Sequence, residues 1–253
     1  MKKRILIISL ILMVIIILII YMLTVKMSNN ISKGDILADT NIDDNQIFLS
    51  YTTALDSTMN FSDKELLADE AEYIIIGTVT SVDGGINYNP VQKCYTMIQT
   101  IGKLKVDKVL KGDIKDKQIL FVRNGGTIKL SEYEKSLTKE YIEYIGLDKM
   151  TEKEKENQYV SDTIQGNVQI EKGKTYLMYL NYNTDYGRYN IKYYEYGLKE
   201  VDASSLSSDA NITNSDTETL TSNEYKAIKV KNNTNGKYEI LDSIIPDKVK
   251  KIK

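Results

Sequence analysis

The chain contains no histidine, which removes Ser-His and Cys-His nucleophile systems and the usual mononuclear zinc sites. Chemistry would then fall to carboxylates, Ser/Lys, Tyr or an oxygen-held metal. No carboxylate pair stands out for acid–base work, because Asp and Glu are scattered among lysines. Asp209-x-Asn211-x-Thr213 begins like a calcium loop, but Asn214 replaces its turn glycine and Leu220 its closing Glu. It reads as a loop, and Asn181-x-Asn183-x-Asp185 reads as a hairpin turn. Gly84-Gly85 and Gly125-Gly126 match no phosphate-binding motif. Cys94 is the one cysteine, so no intramolecular disulfide can form. It either pairs between molecules or serves as a small buried hydrophobe, the expectation for a lone thiol. No catalytic residue, metal ligand or cofactor is assigned.

Tyrosine is the unusual enrichment: 19 Tyr stand against 3 Phe and no Trp. Tyr gives broad contact area with a polar tip, which suits stacking on sugars or gripping peptides. It also has high strand propensity, and a chain without Trp builds its cross-strand pairs from what it has. The residues that would line a ligand face are Tyr182, Tyr186, Tyr189, Tyr193, Tyr194 and Tyr196, crowded along two strands expected at 175–182 and 188–196. With a period of two, Tyr194 and Tyr196 point one way and Tyr189 and Tyr193 the other.

The stretch that must position everything else is Ile5 to Val25, uncharged from end to end. At about 1.5 Å per residue it spans roughly 31 Å, the thickness of a bilayer core. It ends without an Ala-x-Ala cleavage pattern or a lipidation cysteine, so it reads as an uncleaved anchor rather than a removed signal. Lys2, Lys3 and Arg4 against Lys26 keep the N-terminus cytoplasmic. The expectation is a single-pass cell-membrane protein whose tip is 1–4, whose anchor is 5–25, and whose remainder is extracytoplasmic. Without the three cytoplasmic cations the balance of 33 Lys+Arg against 35 Asp+Glu becomes about −5. That field does not suit nucleic acid.

Residues 26–60 are polar and read as a stalk, with one short strand near Gln46–Tyr51. The domain proper is expected over 61–201. Ser62 with Glu65 offers a capping box, and Phe61 with Leu66 a hydrophobic staple, for a helix over about 63–71. A first strand runs from Tyr73 to Val82 and closes at Asp83-Gly84-Gly85. A long second strand runs from Cys94 to Leu110, and its apolar phase switches from odd to even positions at Gly102, the mark of a bulge or sharp coil. Gln118 to Arg123 is a third strand. A helical insertion follows over 131–162: Leu137, Tyr141, Tyr144 and Ile145 lie on one helical face, and Thr151 with Glu154 caps a charged, solvated helix. Beyond the tyrosine strands come a polar loop at 202–224, a β-hairpin at 225–242 turning at Asn235-Gly236, and a solvated basic tail at 243–253.

Strand, long coiled strand, strand, helical insertion, strand, strand is the order of an OB-fold barrel. The phrases Ala71–Val79, Val106–Asp113 and Glu171–Leu180 carry a further likeness. The chain resembles OB-like modules related to netrin-like and tissue-inhibitor-of-metalloproteinase domains, and membrane-anchored surface proteins of Gram-positive bacteria. The resemblance implies a mainly β, OB-like barrel over roughly Ser62 to Tyr196. Metalloproteinase inhibitors chelate zinc through an N-terminal cysteine, and mid-chain Cys94 does not carry that activity over. The expected function is a non-catalytic binding module of the cell envelope, tied to the lipid bilayer through residues 5–25 and engaging a protein or envelope glycan. The alternatives are a cell-envelope enzyme using carboxylates without histidine, and a structural assembly subunit.

Overall fold

The computed structural model describes residues 42–54, 59–206, 220 and 222–250. Among them no helix is long and apolar enough to cross a membrane. The expected anchor at 5–25 and the Asp209–Thr213 loop lie outside the described residues. The chain is mainly β, and its largest sheet closes into a ring.

Five strands make that ring: β2 (Tyr73–Asn89), β3 (Cys94–Lys111), β4 (Gln118–Asn124), β7 (Thr175–Asn183) and β8 (Arg188–Ile191). β2 pairs antiparallel with β3, β3 with β4, β7 with β8, and β7 closes back on β2 with Ile75 opposite Met178. The one parallel contact in the ring joins β4 to β8, Phe121 opposite Tyr189. Alternate residues point inward, so Ile75, Val79, Leu104, Val106, Ile119, Phe121, Met178, Leu180 and Ile191 fill the interior.

β3 carries no extra residue at Gly102, where Thr100 to Lys105 pair in step with β4; the bulges lie opposite, on the neighbouring strand. β2 carries an extra residue at Thr80 and another at Asp83, between the pairs Val82–Gly102 and Gly84–Ile101. Asp83-Gly84-Gly85 therefore does not end the strand. Gly84 takes a positive φ of 110° and bends the ladder, and β2 continues to Asn89. A bulge turns the strand without stopping it.

A second, three-stranded sheet has the order β1 (Ile47–Thr53), β6 (Tyr159–Ile164), β5 (Gly126–Lys129). Its edge strand β1 and its central strand β6 differ from expectation. β1 is the short strand expected near Gln46–Tyr51, but it belongs to the folded domain and not to a stalk: it pairs in parallel with β6 and half-buries Leu49 and Tyr51. Alternation over seven residues is enough for one half-buried face. β6 lies inside the expected helical insertion. Only 130–156 is helical there, as α2 (Leu130–Glu134), α3 (Lys139–Ile145) and α4 (Glu152–Glu156).

The helix face also differs. Leu137, Ile142 and Ile145 pack on the core, whereas Tyr141 and Tyr144 face solvent, Tyr144 at 83% exposure. The Thr151–Glu154 capping box forms. Within the charged helix Lys155 is buried, because its ammonium sits 2.6 Å from Glu134.

Helix α1 (Lys64–Glu70) is capped by Asp63, which accepts from the Glu65 amide at 2.8 Å. Ser62 is taken instead by Asn60, its hydroxyl donating at 2.6 Å. Leu67 and Ala68 of α1 cover the outer face of β2 and β7, and the C-terminal segment joins them there. Tyr225, expected in a strand, is fully buried in helix 222–227, and Leu241 opens helix 241–244. The hairpin shrinks to 229–231 and 238–240, with Gly236 at φ 72° in the connecting turn. The basic tail docks on the domain up to residue 250 instead of standing free in solvent. Val249 is buried, and Lys250 lies between Asp242 and Asp247 at 3.0 and 2.8 Å. Lys248 reaches Glu65 and Asp69 on α1. Alternating cations and apolar residues let the chain end dock its hydrophobes while lysines meet acidic neighbours.

Cys94 opens β3 opposite Asn89 and is exposed, not buried. The hairpin between β2 and β3 projects there, and Tyr88 and Tyr95 meet edge to face at 5.2 Å beside it.

Candidate functional site

The ring has two ends, fixed by the register of β7 on β2, in which Leu180 faces Tyr73 and Thr175 faces Thr78. Each end opens into a cleft.

At the first end, strand starts and ends bring three tyrosines together. Tyr189 lies edge to face with Tyr73 at 5.3 Å and with Tyr182 at 5.2 Å. With Asp116, Gln118, Ile119, Leu120 and Gly187 they line a cleft of about 400 Å³. Tyr182 is 44% exposed and Leu120 37%, so the cleft has an aromatic floor with an apolar rim. Tyr189 is half-buried, and burial raises its pKa.

The other tyrosines expected to share this face do not. Tyr186 is buried in the turn after β7, its hydroxyl 3.4 Å from Thr96 Oγ1. The strand expected to reach Tyr196 stops at Ile191. Tyr193 and Tyr194 take positive φ values of 67° and 50°, and Tyr194–Gly197 forms one helical turn. Gly197 permits this sharp corner, because a Cβ there would sit 1.7 Å from the Lys192 carbonyl oxygen. Tyr193 turns towards α1, donates to the Glu70 carbonyl at 2.7 Å and packs on Phe61 at 4.7 Å between centroids. Burial pushes its phenol up to about 12. Tyr196 packs on the same outer cluster, and Tyr194 is half-buried. The sequence marked the stretch correctly as aromatic, but a strand period could not separate these roles once the strand had ended.

The second end is polar. Residues 167–171 cross it, and Val168 and Ile170 pack onto the ring interior. The Tyr176 hydroxyl accepts from the Glu171 amide at 3.1 Å. Arg123, 4% exposed, donates from Nη1 to the Val168 carbonyl and from Nη2 to Asn167 Oδ1 at 2.8 Å. Burial lowers its pKa to about 10, and the one group that raises it is Tyr176. Arg123, Asn124, Asn167, Thr100, Ser161 and Thr163 are among the residues around a cleft of about 790 Å³ between ring and small sheet.

Asp162 is the deepest carboxylate of the small sheet. It is 2% exposed; Oδ1 accepts from Thr53 Oγ1 at 2.9 Å and Oδ2 has no partner. Tyr51 and Tyr133, hydrogen-bonded to each other, feel its charge. Burial raises the Asp162 pKa above its ordinary 3.8. The folded state therefore holds this proton more tightly than the unfolded chain. The associated stability is full below the ordinary pKa and is lost as pH rises through the folded value. Thermal melts from about pH 4 to pH 7 should show stability falling with pH through this group. Asp162→Asn should flatten that fall, and an unchanged slope would show that Asp162 is ionised at no cost.

Neither Arg123 nor Asp162 was singled out by motif, yet both carried a signal. Arg123 lies in phase with Ile119 and Phe121, and Asp162 in phase with Val160 and Ile164. A charge in the apolar phase of a strand marks a buried ion. Among the described residues no group of His, Cys, Asp and Glu is placed to hold a metal. Compared with known proteins, the chain matches no family model and no curated sequence.

Proposed function

We propose that this chain is a single-pass, membrane-anchored, extracytoplasmic binding module built on an OB-like barrel. Its partner is a protein or an envelope glycan. The ring closes in the order first, second, third, fifth, fourth strand, with its parallel contact between third and fifth. This order supports the OB-like reading, in which ligands meet one barrel face and the loops after the first and fourth strands. Here those loops are tied together, since Asn89 Nδ2 and Gln92 Nε2 both donate to Asp185 Oδ2 at 3.0 Å. The observation that carries the reading is the cleft of Tyr73, Tyr182 and Tyr189 beside the second of these loops. The anchor part rests on the uncharged run from Ile5 to Val25.

Tyr182 is the residue to test, being exposed and not required by the ring interior. Tyr182→Ala should leave the unfolding midpoint nearly unchanged. It should weaken binding to isolated cell-envelope fractions by about 1–3 kcal/mol, if stacking on a base is a guide to other flat ligands. Equal retention of variant and wild type on envelope fractions would make the tyrosines structural and defeat the reading.

A further inference from the structure

The polar cleft at the opposite end of the ring holds a buried charge that no carboxylate balances among the described residues. Among the described residues no Asp or Glu forms an ion pair with Arg123, whose guanidinium bonds only to a carbonyl and an amide oxygen. A buried cation facing neutral partners is costly, and a native fold ordinarily pairs it. The acidic residues of the cleft do not fill the role. Glu171 is bound by Lys174 at 2.8 Å, and Asp162 is held by Thr53.

The wall also offers a hydroxyl donor. Ser161 Oγ accepts from Thr127 Oγ1 at 3.3 Å, which leaves its own proton to donate. Thr163 is exposed beside it. At about 790 Å³ the space has the size of a small-molecule site rather than of one bound ion. We propose that this cleft binds a small polyhydroxylated ligand bearing an oxyanion, either phosphate or carboxylate. The oxyanion lies on Arg123, and ligand hydroxyls meet Ser161 and Thr163. Arg suits this task because its planar fork matches the two oxygens of such a group. The site is distinct from the tyrosine cleft and does not depend on it.

The full chain in detergent, titrated calorimetrically with glycerol 3-phosphate, glucuronate and inorganic phosphate, tests this. Saturable one-to-one binding of either organic probe is expected. Preference for the first assigns a phosphate ligand, and preference for the second a carboxylate. Arg123→Gln should weaken the preferred probe at least about tenfold, since charged hydrogen bonds are worth about 1.5–3 kcal/mol. Ser161→Ala, at a half-buried hydroxyl, should fold whatever Arg123→Gln does and should weaken the same probe several-fold. Three results would overturn the proposal: no saturable binding by wild type, inorganic phosphate binding as tightly as either organic probe, or Ser161→Ala binding unchanged.

Discussion

Replacing Phe121 with Ala is expected to cost about 3–5 kcal/mol of stability, as large-to-small changes at fully buried aromatics do. The ring of Phe121 is completely buried and belongs to the interior cluster of the five-stranded ring. The residue also stands where two pairings meet, opposite Gly102 on β3 and opposite Tyr189 on β8. Truncation removes apolar contact and leaves a cavity that strands paired on both sides cannot collapse into. A single domain commonly has about 5–15 kcal/mol in total, so the variant should melt far lower and unfold at much lower urea. The neighbouring Leu120→Ala is the internal reference. Leu120 points outward at 37% exposure and should change stability by about 0.5 kcal/mol or less. Circular dichroism during urea unfolding reads both. A Phe121→Ala loss no larger than that of Leu120→Ala would mean that the ring interior is not packed there.

How much of this arrangement was legible depended on whether a residue's role was set by its near neighbours. The short apolar run within Gln118–Arg123 announced β4, and the turn glycines bounded it well, since those signals are local. The bulge expected at Gly102 is not on that strand; the extra residues lie at Thr80 and Asp83 on β2, which the period of β3 cannot show. β6 was lost in the helical insertion because Tyr159–Ile164 gains its meaning from β1 and β5, whose paired residues lie thirty or more positions away in sequence. The tyrosine stretch shows the limit most clearly. Tyr182 and Tyr189 pair across a hairpin and were placed by its turn. Tyr193 and Tyr194 leave the strand at positive φ, a conformation bulky side chains rarely adopt and no propensity announces. Arg123 and Asp162 could have been found by treating a charge in an apolar phase as a question about burial. What each charge faces depended on segments far away in the chain.

Gly102→Ala should destabilise by about 1–3 kcal/mol, towards the upper end of what overpacking costs. A Cβ at this position would lie 2.2 Å from the Ser81 carbonyl oxygen and 2.5 Å from the Phe121 ring. The ring occupies the space that the missing side chain leaves, so glycine and aromatic are one packing unit across β3 and β4. The two obstacles differ in kind. A ring can tilt, but the Ser81 carbonyl belongs to the bulged part of β2, where Ser81 lies opposite Lys103. Moving it disturbs the ladder that bends the strand. The double variant Gly102→Ala/Phe121→Ala separates the two contributions. With the ring gone, the new methyl keeps only the carbonyl clash and partly fills the cavity. The combined loss should then fall short of the sum of the single losses by about 0.5–3 kcal/mol, the range for residues in contact. Losses that add within about 0.5 kcal/mol would place the whole cost of Gly102→Ala on the β2 backbone. The phase change at Gly102 would then be a demand of strand approach alone, with no part played by the aromatic that covers it.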